Sequence, residues 1–110
     1  MLQLIGLKSD KDTRKAERYL KERRIPFQFV DLSERSLSPK EWSSIFSSVE
    51  KMEEILDKDS QYWKKNGYDY REFDAEEEVK EHIELLKKPI LRNGQKAHVG
   101  WSEEWLKEHV

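Results

Sequence analysis

The stretch that most limits what this chain can become is its start, MLQLIGLKSDKDTRKAERYLKERRIPFQFVD. Leu2, Leu4 and Ile5 form a short apolar run that stops at Gly6, which predicts a strand over residues 2–7. Ser9, Asp10 and Asp12 carry side chains that can accept hydrogen bonds from the free N–H groups of a helix start. Ala16, Tyr19 and Leu20 follow at helical spacing with one apolar stripe, so a helix is expected from about Asp12 to Arg23. Pro26 cannot continue that helix, and Phe27, Phe29 and Val30 read as a second strand over about Pro26–Asp31. A strand, a crossover helix of about a dozen residues and a strand make a βαβ unit with parallel strands.

Further along, Ser38-Pro39-Lys40-Glu41 is a helix start with Ser at the cap, Pro in the first turn and Glu at the third position. Trp42, Ile45, Phe46 and Val49 continue it, and a further helix is expected to hold Met52, Ile55 and Leu56. Asn66-Gly67 predicts a turn. Tyr68–Phe73 has no clear period and reads as a loosely packed segment with its aromatic residues inward. Asp74 caps an acidic helix that should end near Lys87, with Val79, Ile83 and Leu86 on its apolar side. Ile90–Leu91 and Ala97–Val99 are strands joined through Arg92-Asn93-Gly94-Gln95-Lys96, an Asn-Gly hairpin turn, so they pair antiparallel. Ser102 caps a last helix through Glu103, Trp105 and Leu106.

A chain of 110 residues makes one domain. Charged residues are 40% and hydrophobic ones 35%, so the core must draw on the four Trp, four Tyr and four Phe. A net charge of −2 gives no general attraction to nucleic acid or an anionic membrane, and neither is expected as a direct partner. Charge is nevertheless uneven. Residues 8–24 carry a local balance of +4 and residues 74–84 one of −5. The first is read as a solvated helix face or as a docking surface for an acidic protein partner. No apolar signal region or membrane span is present, and a cytoplasmic location is expected. The chain has no cysteine, which excludes disulfides, thiolate metal sites and thiol redox chemistry. His82, His98 and His109 show no metal-ligand spacing, and no Gly-rich phosphate loop is present, so neither a metal nor a cofactor is expected.

Four segments carry a resemblance: Gly6–Ala16 with Ile25-Pro26-Phe27-Gln28-Phe29-Val30-Asp31-Leu32, then Ile55–Lys65, then Lys88-Pro89-Ile90-Leu91, then Val99-Gly100-Trp101-Ser102. Together they resemble the arsenate reductase family, which also includes glutaredoxin-like proteins and a redox-sensing transcriptional regulator. The resemblance implies a thioredoxin-like α/β fold: a mixed four-stranded sheet flanked by helices, with a helical insert between its halves and a cis proline before the third strand. It also implies a reactive cysteine just after the first strand. That position is Asp10 here, and the regulator's second cysteine falls on Thr13. The family's oxyanion-binding arginine falls on Asp59, and the arginine before the proline on Lys88, which keeps the charge without the planar fork.

By the same residues that suggest the fold, the family's chemistry is absent. The expectation is a non-catalytic arsenate-reductase-like protein with Asp10, Thr13 and Asp59 as vestigial positions, acting by binding a protein partner. One family branch binds RNA polymerase, which the resemblance makes a candidate. The alternative is a binder of a small anion or a glutathione-like peptide through Lys8, Ser9, Lys11, Lys88 and Pro89. A third reading uses Asp10 as a base or nucleophile, without a second acid, base or metal nearby to assist it. Asp10 or Asp12 as a plain helix cap is the structural counterpart of both ligand readings.

Overall fold

The computed structural model describes residues 1–110. Strand β1 (Leu2–Gly6) leads into α1 (Lys11–Glu22) and β2 (Phe27–Asp31). Helices α2 (Pro39–Ser47), α3 (Gln61–Lys65) and α4 (Ala75–Glu81) follow, then strands β3 (Ile90–Asn93) and β4 (Lys96–Val99) and helix α5 (Glu103–His109). The sheet order is β2-β1-β3-β4, with β1 parallel to β2 and antiparallel to β3, and β3 antiparallel to β4. The mixed sheet, the parallel β1–β2 pair, the antiparallel β3–β4 pair and the helical insert between β2 and β3 are those expected, and the antiparallel β1–β3 pair joins the two halves.

Side chains alternate across this sheet, as a pleated strand requires. Leu2, Leu4 and Leu91 face α1 and α5, where Ala16, Leu20 and Leu106 complete one core. Ile5, Val30 and Ile90 point to the other face and join the larger core under the insert. On that second face the strand ends are polar. Gln3 and Arg92 meet Glu41 and Ser44 of α2, and Arg35 donates to Glu41 through both terminal guanidinium nitrogens at 2.8 Å.

The insert departs from the predicted helices. Met52–Ile55 is a 3₁₀ turn, and Leu56 forms a bridge to Leu86. The main chain of Ile55 and Asp57 binds Lys87 and Leu85, so tertiary pairing takes the place of a helix here. Gln61–Lys65, by contrast, is a short helix that Ser60 caps. α4 ends at Glu81, six residues before the expected stop. His82 leaves helical geometry and stacks on Tyr62 at 4.8 Å, and a 3₁₀ turn over Ile83–Leu85 then buries Leu85 and Leu86 completely. Tyr68–Phe73 is tighter than predicted. Tyr68 is buried between Trp63 and Phe73, with ring centroids at 5.2 and 5.0 Å, while Tyr70 points out and is 92% exposed. No helix is long and apolar enough to cross a membrane.

Candidate functional site: a cleft at the cis-proline turn

The first turn of α1 presses against the end of β1. Thr13 is fully buried, and a Cβ built on Gly6 would lie 2.3 Å from Thr13 Oγ1. Only glycine allows this approach. Asp10 is the N-cap of α1, and its Oδ2 accepts from the Thr13 N–H at 2.8 Å and from Thr13 Oγ1 at 2.7 Å. The two positions where the family resemblance expects cysteines are therefore hydrogen-bonded to each other. The cap reading of Asp10 matches this geometry, and both oxygens of that contact are already engaged.

Lys88 precedes Pro89 across a cis peptide bond. Its Nζ donates to the carbonyls of Ile83 and Leu86 at 2.7 and 2.9 Å, closing the end of the 3₁₀ turn as a cation does at a helix C-terminus. Burial lowers the Lys88 pKa, against the opposing pull of Asp10, Asp57 and Glu84. The ammonium is thus committed to the insert. The main-chain N–H and C=O of Lys88 make no hydrogen bond within the protein, whereas the neighbouring Pro89 carbonyl accepts from the Gly100 N–H at 2.8 Å.

Beside this turn lies a cleft of about 390 Å³. Ala16 and Pro89 are buried at its floor, and Gly100 borders it. Tyr19 and Trp101 meet edge to face at 4.9 Å and form an aromatic wall, with the Arg23 guanidinium stacked 3.6 Å over Tyr19. Asp12, Lys15 and Lys88 complete the lining.

The structure brings two of the predicted ligand residues, Lys88 and Pro89, to this cleft. Ser9 and Lys11 are exposed at the helix start and do not line it. Lys8 borders a separate depression with Glu17, Asp31 and Arg35. There the Ser33 hydroxyl and N–H hold Asp31 below the ordinary carboxylate range. Asp59 is exposed in a turn, its N–H donating to Asp57 Oδ1 at 3.1 Å, and lies outside the cleft lining. The sequence did not single out Asp12, Lys15, Tyr19, Gly100 and Trp101 as cleft residues. The available signal was the i, i+3, i+4, i+7 placement of 12, 15, 16 and 19 on one helix face.

Two other features lie away from the cleft. A groove of about 680 Å³ runs between α2 and α4, lined by Leu37, Trp42, Phe46, Met52, Glu76 and Lys80 among others. At the end of α4, Glu78, Glu81 and His82 bring ligand-type atoms within 4.8 Å of one another, a grouping the histidine spacing alone did not suggest. Glu78 there also accepts from Arg71 at 3.3 Å.

With this geometry in hand, comparison with known proteins gives a definite answer. The sequence profile of the ArsC family matches residues 6–109. The chain belongs to the ArsC family. Among solved structures it is similar to the arsenate reductase from Vibrio cholerae, with a TM-score of 0.80 and 16% identity over 99% of this chain and 97% of that one. An arsenate reductase (ArsC) related protein from Brucella melitensis gives a TM-score of 0.72 and 19% identity over 98% and 92%. At these identities the likeness speaks for the fold, which is the ArsC thioredoxin-like one. No curated protein matches by sequence. The chain has no cysteine, which fits a loss of redox activity.

Proposed function

We propose that this ArsC-family chain is a redox-inert binding module that grips an extended stretch of a partner protein at the cis-proline cleft. The observation that carries this is Lys88. Its side chain is turned away onto carbonyls of the insert, while its main-chain N–H and C=O make no hydrogen bond within the protein and the residue borders the cleft. A free donor and acceptor on one residue is what an added peptide strand pairs with, and a neighbouring cleft then takes a side chain. The catalytic positions support the same reading. Asp10 serves Thr13, Asp59 lies in an exposed turn, and the Arg23 guanidinium beside the cleft is stacked on Tyr19. An oxyanion would find Lys15 there but no bidentate partner.

The second reading, a glutathione-like ligand, draws on the same free main chain, because such a ligand is itself a peptide. The test is a ¹H–¹⁵N NMR titration with phosphate, arsenate, glutathione and the RNA polymerase α C-terminal domain, added separately. The expected result is movement of Lys88, Gly100 and the Trp101 indole with a peptide or protein ligand, and silence with arsenate. Shifts produced by arsenate or phosphate and centred on Lys8–Thr13 would replace this reading with an anion site.

A further inference from the structure

Helix α1 carries a second feature that adjoins the cleft. Lys11, Arg14, Lys15 and Arg18 are all exposed, and their i, i+3 and i+4 spacing puts them on one side of the helix, opposite the buried Thr13, Ala16 and Leu20. None of the four is ion-paired with a carboxylate of the chain; the single α1 pair is Lys21 with Glu17 at 3.7 Å. Acidic groups on the helix lie to the sides of this row or beyond it: Asp12 toward the cleft, Glu17 beside Lys21, and Glu22 at the C-terminal end. Lys15 belongs to both features, since it borders the cleft and stands in the basic row.

We infer that the segment bound at this cleft is an acidic extended peptide with one apolar anchor, the anchor seated against Tyr19 and Trp101 and the carboxylates laid along Lys11, Arg14, Lys15 and Arg18. This rests on the peptide-binding reading above and names its partner class. The dimensions agree. Lys11 to Arg18 covers roughly 10 Å of helix axis, about three residues of extended chain. The anchor and its acidic flank thus fit one short segment. A cleft of about 390 Å³ with an aromatic wall accommodates a single large side chain. Four unpaired cations beside it select sign and raise the encounter rate. A nucleic acid would meet the same cations, but it offers no main chain for Lys88 and meets a protein of net charge −2.

The experiment compares three probes on the full-length chain by NMR: acetyl-Glu-Asp-Phe-Asp-Glu-amide, its amide counterpart acetyl-Gln-Asn-Phe-Asn-Gln-amide, and oligothymidylate. The acidic peptide should move Gly100, Trp101 and the α1 amides together. Its binding should weaken strongly at about 0.5 M salt, and fall about tenfold in Lys15→Glu/Arg18→Glu. Lys64→Glu/Lys65→Glu, both exposed on α3, is the charge-matched control and should leave it unchanged. Equal binding of the amide peptide, without salt dependence, would overturn the acidic selection and leave the peptide cleft standing. Failure of both peptides to move Gly100 and Trp101 would remove the cleft reading as well. Tighter binding of oligothymidylate to the α1 row would make that row a nucleic-acid surface and overturn the inference.

Discussion

Asp10 and Glu41 are carboxylates at the N-termini of two helices, on opposite faces of one sheet, and they are fixed in different ways. Asp10 is held by a single neighbour on its own helix, Thr13, through an N–H and a hydroxyl. Glu41 completes a capping box with Ser38 and is then gripped from elsewhere, by Arg35 twice and by Gln3 of β1. Those donors push the Glu41 pKa down to about 2, with the Arg35 hydrogen bonds as the largest cause. A local cap settles where a helix begins. A cap with partners on another strand and loop also ties the helix to the sheet beneath it.

The largest expected effect falls on the Glu41 side. Glu41→Ala removes the acceptor of the Ser38 N–H and of the Gln3 amide and frees Arg35, whose side chain is 42% exposed, to water; it should cost about 2.5 kcal/mol by urea unfolding. The pH dependence has a definite sign. Because the folded pKa is depressed below the ordinary 4.5, the stabilisation is fully present above that value and is lost as pH falls toward about 2. Glu41→Gln should flatten this slope; an unchanged slope would mean that another acid controls it. Next in size is Gly6→Ala, whose new Cβ meets Thr13 Oγ1 at 2.3 Å and Cγ2 at 2.7 Å. A loss of about 2 kcal/mol is expected, and adding Thr13→Ala should recover part of it in a double-mutant cycle. Additive losses would show that the contact is relieved some other way.

Asp10→Ala removes only a local cap and should cost about 1 kcal/mol, with faster amide exchange confined to the first turn of α1. Exchange spreading into the sheet would erase the contrast between the two carboxylates. Smallest of all is the chemical outcome of Asp10→Cys. A thiol there faces no bidentate clamp, because Asp59 lies outside the cleft and Lys88 is tied to the insert. Thiol-coupled arsenate reduction should stay at the buffer rate, and turnover in this variant would show that the reaction does not need a bidentate clamp.

What could be read from the sequence follows the same division. Caps at Asp10, Ser38, Asp74 and Ser102 act over three residues or fewer, so their side chains announce themselves locally. The βαβ unit and the Asn-Gly hairpin have periods and turn residues of their own. The partners of Glu41 are 6 and 38 residues away and left no local trace. The same holds for Lys88, whose charge suggested an anion and whose ammonium found two carbonyls instead. In the insert, helical spacing at Met52, Ile55 and Leu56 competed with main-chain pairing to residues 85–87, and the pairing prevailed. The cleft joins residues 12–19 to 88–89 and 100–101, which only the closed fold brings together.

The four tryptophans divide between the cores and one wall of the cleft. Trp42 stacks on Phe46, Trp63 on Tyr68 and Trp105 on His109, while Trp101 alone among them borders the cleft. The intrinsic emission of this protein is therefore the sum of four indoles, two in the core under the insert and two beside the α1–α5 core. Subtracting the spectrum of Trp101→Phe leaves the signal of a single fluorophore at the cleft. Occupancy of that one place can then be followed without attaching any dye.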